Sequence, residues 1–146
     1  MLKYKHILVA VDLSDYTDKI LATAKELTVD NDHAKISLIH VIEGSTAALG
    51  GEIMMPMNIN FEQSIENHVR KQMQRLAKAN DISEKDFYIE VGSVKHAVNE
   101  IAEKISADLI LVGTHGHHGI ERLIGSRANG ILHLAKVDVL AIRVAN

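Results

Sequence analysis

The chain contains no cysteine and no tryptophan, a single proline, and only 3% aromatic residues. The missing cysteine excludes disulfide staples, thiolate metal sites and cysteine nucleophiles together. The scarcity of aromatics argues against any function that stacks bases or flavin rings on aromatic side chains. An excess of one charge is also missing: sixteen Lys and Arg stand against nineteen Asp and Glu, a formal net charge of −3. A chain so balanced has no global pull toward nucleic acid or an anionic membrane, and neither is expected as a partner. No apolar run approaches the roughly 20 residues that cross a bilayer. The start, MLKYKHILVAVDLS, has a short apolar run that Asp12 ends, too short for the core of a signal peptide. A cytoplasmic location is expected.

What is present is the balance of an ordinary globular domain. The chain has 146 residues, 47% of them hydrophobic and 24% charged. That length predicts one domain, residues 1–146, able to bury about two thirds of its unfolded surface.

Apolar runs and helical stripes alternate along the chain. Ile7–Val11 reads as a strand buried on both faces, as in a parallel sheet. Ser14 or Asp15 can cap a following helix whose stripe is Ile20, Leu21, Ala24 and Leu27. Ile36–Val41 is a second strand. An irregular stretch from Glu43 to about Ile59 holds Gly44, Gly50, Gly51, Pro56 and Met54, Met55 and Met57. The methionines are read as adaptable packing against the domain or a partner. Asn60 caps a long helix, with Gln63 closing a capping box and Phe61, Ile65, Val69, Met73 and Leu76 on one face. Phe87, Ile89 and Val91 alternate as a third strand. Gly92-Ser93 turns into a helix with Val94, Ala97, Val98, Ile101 and Ile105 inward. Leu109–Val112 is a fourth strand, ending at Gly113. Ser126 caps a last helix with Ala128, Ile131, Leu132 and Ala135 inward, and Val139–Val144 is the fifth strand. Such alternation predicts an α/β fold: a five-stranded, mostly parallel sheet with helices on both faces and right-handed crossovers.

In an open α/β sheet, ligands sit beyond the carboxyl ends of the strands, where strand order reverses. Asp12 follows the first strand. After the fourth comes GTHGHHGIERLIGSRANG, residues 113–130, with Gly113, Gly116 and Gly119 at spacing three. Glycines permit positive φ and close approach to a ligand, and successive N–H groups form an anion nest. Gly125-Ser126 opens a helix whose N-terminus favours an anion. Ser126, Arg127, His115, His117 and His118 add donors. Together these make a phosphate site, preferred over a loop whose glycines only make turns. Asp12 could accept from ribose hydroxyls or an adenine amine. Neither GxxxxGK[ST] nor G-x-G-x-x-G occurs.

KHILVAVDLS, KISLIHV and ADLILVGTHGHHGIERLIGSRANGILHLAKVDVLAIRV together resemble a universal stress protein of the UspA family, over essentially the whole chain. The resemblance implies a Rossmann-like, adenine nucleotide α-hydrolase-like fold that binds ATP or AMP in many members, with Mg2+ as a companion to consider. The family motif is Gly-x2-Gly-x9-Gly-Ser/Thr. Gly113, Gly116, Gly125 and Ser126 match its fixed residues, with eight residues in the second spacer instead of nine. Non-binding members share the short spacer but typically lose the glycines, which this chain keeps. By this likeness Gly113, Thr114, His115, Gly116, Gly125, Ser126, Arg127 and Ala128 form the phosphate side. Ala10, Val11, Asp12 and Leu13 line the nucleoside, and Val41 contacts adenine. The likeness also implies a homodimer. An apolar terminal strand at a sheet edge would be covered by its copy about a two-fold axis, here through Val139–Val144. The implied function is a nucleotide-binding regulatory module in the stress response.

Two other chemistries fit the sequence less well. A slow ATPase would use Asp12 as carboxylate and His115 or His117 as base, but the glycine loop offers only Glu121 as a second acidic ligand. A metal site on His115, His117 and His118 with His133 is disfavoured, because adjacent histidines do not easily face one ion.

Overall fold

A computed structural model describes residues 4–43, 58–114 and 126–144. The elements run β1 (His6–Ala10), α1 (Thr17–Thr28), β2 (Lys35–Glu43), α2 (Asn58–Ala79), β3 (Phe87–Gly92), α3 (Val94–Lys104), β4 (Leu109–Thr114), α4 (Ser126–Leu134) and β5 (Asp138–Arg143), with a short 3-10 turn at Glu84–Asp86. The sheet order is β3-β2-β1-β4-β5. Every neighbouring pair is parallel, so the sheet is wholly rather than mostly parallel.

Alternation along each strand divides the core in two. Ile7, Val9, Leu109 and Leu111 face α1 and α2, where they meet Ile20, Leu21, Ala24, Val69 and Met73. Leu8, Ile39, Ile110 and Val112 face α3 and α4, where they meet Val98, Ile101, Ala128 and Ile131. Helices on both faces explain why the central strands read as unbroken apolar runs. Two stripe assignments differ from expectation. Leu27 and Leu132 are exposed, at 39% and 50%. No described helix is long and apolar enough to cross a membrane.

The caps correct the sequence reading at several points. Helix α1 begins at Thr17 after Tyr16, not after Ser14 or Asp15. Ser14 is used earlier: its carbonyl accepts from Thr17 N at 3.2 Å and its Oγ from Tyr16 N at 3.2 Å. Helix α2 is already helical at Asn58, so Asn60 stands inside the helix rather than at its cap position. The expectations for Gly44, Gly50, Gly51, Met54, Met55, Pro56 and Met57 lie outside the described residues.

The ends of α2 and α3 share one device. After α3, Ala107 N bonds Ala102 O at 2.9 Å and Ser106 N bonds Glu103 O at 3.2 Å. After α2, Ile82 N bonds Ala77 O at 2.8 Å and Asp81 N bonds Lys78 O at 3.4 Å. Both are Schellman motifs. Ser106 and Asp81 each sit at φ 58°, where glycine is the usual occupant. Ser106→Gly is expected to stabilise by about 0.5–1 kcal/mol. That is the left-handed cost of roughly 1–2 kcal/mol less glycine's unfolded-state entropy of roughly 0.4–1. Asp81→Gly should gain less, because aspartate tolerates this conformation. Urea denaturation measures both; a loss of stability at Ser106 would contradict the assignment.

The amino end of β1 is tied down by polar contacts. Asp108 accepts from the Lys5 and His6 amides at 2.8 and 3.0 Å. The His6 ring donates from Nδ1 to Ile105 O at 3.1 Å and pairs through Nε2 with Ser37 Oγ at 2.7 Å. Burial, and then the neighbouring Lys35, push His6 below the usual histidine value.

A candidate ligand cleft at the switch point

The chain leaves β1 for β2 on one side and later returns to β4 on the other. Strand order therefore reverses between β1 and β4, the place where open α/β sheets hold ligands. Ala10 and Val112 are register partners at that point. Beyond them the two carboxyl ends diverge into a cleft of about 290 Å³, lined from β1, β2 and β4 and from all four helices. Its walls are mostly aliphatic, with Val41, Ile65, Val69, Val94 and Val98 among them, and its polar groups are Asp12, His40, Glu43 and Arg127. A mostly apolar cleft with a few converging polar groups is the usual build of a small-molecule site, whose volumes start near ~300 Å³.

The turn after β1 is held from several directions. Val11 N donates to Ile39 O at 2.9 Å. His40 Nδ1 lies 2.8 Å from Val11 O. Since a carbonyl only accepts, Nδ1 carries the proton. Asp12 Oδ1 accepts from Ser14 N at 3.1 Å. These bonds hold Leu13 at φ 62°, a left-handed conformation costing a β-carbon residue about 1–2 kcal/mol. Such strain collects at ligand clamps. Leu13 itself packs against the core on the α1 side.

Gly113 belongs to β4 rather than to the loop after it. Its φ is not in the left-handed region; the positive-φ glycine among the described residues is Gly92. A Cβ at Gly113 would stand 2.6 Å from Ile20 Cδ1 and 3.5 Å from Val144 Cγ1. The glycine is thus required by close packing against α1, not by a turn. Thr114 turns toward β5, its Oγ1 3.4 Å from Ile142 O.

Arg127 stands at the first turn of α4. Its Nε donates to Glu43 Oε1 at 2.9 Å, and its Nη2 reaches the same oxygen. The pair joins the end of β2 to the start of α4, 84 residues apart in sequence. The Glu43 hydrogen bond holds the guanidinium above its usual value; burial opposes this, and the charges of Glu43 and Asp12 add to it.

Of the residues singled out from sequence, the structure brings Ala10, Val11, Asp12, Val41, Gly113 and Arg127 to one cleft. Leu13, Thr114 and Ala128 are not among its described lining residues; Ala128 is buried in the core beneath α4. Ser126 opens α4. His115, Gly116, Gly119, Gly125, His117, His118 and Glu121 lie outside the described residues. His133 is exposed, and no group of three metal-ligating side chains occurs among the described residues. The sequence reading missed His40 and Glu43. Their signal is the run His40-Val41-Ile42-Glu43, polar residues entering an apolar strand near its carboxyl end.

A parallel sheet in the order β3-β2-β1-β4-β5, with an apolar cleft at its reversal point, defines a Rossmann-like α/β domain. Its relatives are specific. Residues 3–143 match the model of the universal stress protein family. The chain is 48% identical over 139 residues to universal stress protein A homolog 1 of Coxiella burnetii, which covers 95% of this chain and 96% of the relative. Among solved structures, hypothetical protein MJ0577 matches with a TM-score of 0.82 at 20% identity, over 99% of both chains. A universal stress protein in complex with cAMP matches with a TM-score of 0.62 at 25% identity, over 97% of this chain and 98% of that one. The chain belongs to the universal stress protein family.

Proposed function

We propose that the chain is a single-domain, cytoplasmic regulatory module that binds an adenine nucleotide, ATP or AMP, and acts as a homodimer in the stress response. The observation that carries the nucleotide reading is the cleft itself. It places aliphatic walls and the Asp12 carboxylate beside each other at the strand-order reversal. The aliphatic walls suit a purine on a chain with few aromatics, and Asp12 is positioned to accept from ribose or from the adenine amine. Phosphates extend toward the start of α4, since the N–H groups of a helix's first turn favour an anion. The family relative in complex with cAMP supports a nucleotide as ligand class. If Mg2+ accompanies ATP, the described carboxylates that line the cleft are Asp12 and Glu43, both of which act on Arg127. A thermal-shift titration tests the reading. AMP or ATP at about a hundred times Kd should stabilise the fold by roughly 2.7 kcal/mol, and GTP at the same concentration by clearly less. No shift with either adenine nucleotide would contradict it and favour the family's non-binding type.

The dimer reading rests on β5. It pairs with β4 on one side and is the last strand in the sheet order. Leu140 and Ala141 are exposed on it. Its bounds are Asp138–Arg143; Val144 is buried at 3% in the domain's own core and leaves the interface. Pairing with a second β5 about a two-fold axis would satisfy the open edge. Leu140→Asp is expected to convert a dimer to a monomer in light scattering without loss of fold by circular dichroism. An unchanged dimer would place the contact elsewhere.

A further inference from the structure

The charges at the mouth of the cleft are unequal. Among the described lining residues two are carboxylates, Asp12 and Glu43, and one is a guanidinium, Arg127. Two donors of Arg127 already converge on Glu43 Oε1. An anionic ligand entering here meets an occupied cation and two like charges. Glu43 and Arg127 side chains are 37% and 54% exposed, so exchange of partners needs no rearrangement of the core. Glu43 ends β2, five residues past the buried Leu38, and its backbone is fixed by register with Gly92. Arg127 is fixed by α4, whose next residue Ala128 is buried at 2%. The two anchors fix the backbones from which both side chains reach the cleft.

We propose that Glu43 is a specificity-determining residue that ranks ligands by phosphate charge, because its carboxylate competes with phosphate for the Arg127 guanidinium. This inference rests on the adenine-nucleotide reading above and adds a ranking to it. Without divalent cations, adenosine is indifferent to the pair. AMP engages Arg127 in competition with one carboxylate. ATP brings further negative charge against Glu43 and Asp12 and is disfavoured relative to AMP. Charge-assisted pairs between a guanidinium and an oxyanion are the strong class of hydrogen bond, so the partner Arg127 takes has a measurable effect.

The test is calorimetric titration of adenosine, AMP and ATP, in chelator and low salt, into the full chain and its Glu43→Gln variant. Glutamine keeps the side chain's shape and removes its charge. The expected result is adenosine unchanged within about twofold, AMP tightened about threefold and ATP about tenfold, with the gains shrinking at ~0.5 M salt. In the Arg127→Gln background, Glu43→Gln should tighten ATP by less than about threefold, because no cation is released. Equal tightening of all three ligands, or none, overturns the ranking and leaves the nucleotide reading standing. A full tenfold gain in the absence of Arg127 also overturns it, since Glu43 would then act by repulsion alone. If none of the three ligands binds either protein, the nucleotide reading fails and the ranking with it.

Discussion

Replacing Asp12 by alanine is expected to weaken adenine-nucleotide binding by about tenfold to a hundredfold. Hydrogen bonds to a charged group contribute roughly 1.5–3 kcal/mol, and each 1.4 kcal/mol is a factor of ten. Asp12 lines the cleft at the end of β1, beyond the point where Ala10 pairs with Val112. It also accepts from Ser14 N at 3.1 Å, so the alanine variant should lose about 1 kcal/mol of stability as well. Asp12→Asn separates the two effects. The amide oxygen can still accept from Ser14, so stability should return, while an acceptor of lower charge binds the nucleoside less well than aspartate. Calorimetry for affinity and urea denaturation for stability give the two readouts. Unaltered affinity in both variants would remove Asp12 from the ligand.

Gly113→Ala is expected to cost about 1–3 kcal/mol, the usual range for a methyl group forced into a filled core. The new Cβ would lie 2.6 Å from Ile20 Cδ1, and Ile20 is 1% exposed, so the isoleucine has little room to move within the core. Its free direction is the cleft, which it lines. Ile20→Val removes the clashing methyl and alone should cost about 0.5–1.5 kcal/mol. The double variant should therefore be more stable than the sum of the two singles by about 1 kcal/mol or more. Additivity within roughly 0.5 kcal/mol would mean that the two side chains do not meet as described.

The case of Gly113 shows what sequence could and could not reveal. A glycine heading a glycine-rich loop reads as a turn residue. Its actual constraint is a side chain 93 positions earlier, which no local pattern displays. The strands were legible because both faces of the central ones are buried: Ile7–Val11 and Leu109–Val112 are continuous apolar runs for that reason. Their bounds moved by a residue or two because register, not hydrophobicity, ends a strand. The start of α2 was misplaced because Asn60 has the chemistry of a cap, while the backbone was already helical from Asn58.

For the cleft, the topology rule placed Asp12 and Gly113 together from sequence, since both stand at carboxyl ends of neighbouring strands, and the family resemblance added Val41. The rule says nothing of long-range polar pairs. Glu43 read as the start of an irregular stretch and Arg127 as a phosphate donor. Only the fold brings them within hydrogen-bonding distance. The left-handed Leu13 was equally hidden, because leucine carries no preference for that conformation and is held there by the bonds of its neighbours.

The most direct test of the central claim is mass spectrometry of the purified protein, first native and then after acid release of small molecules. The account predicts an adenine nucleotide near one per chain, reduced in the Asp12→Ala variant. Protein that carries no adenine nucleotide, and acquires none from millimolar AMP or ATP, would contradict it.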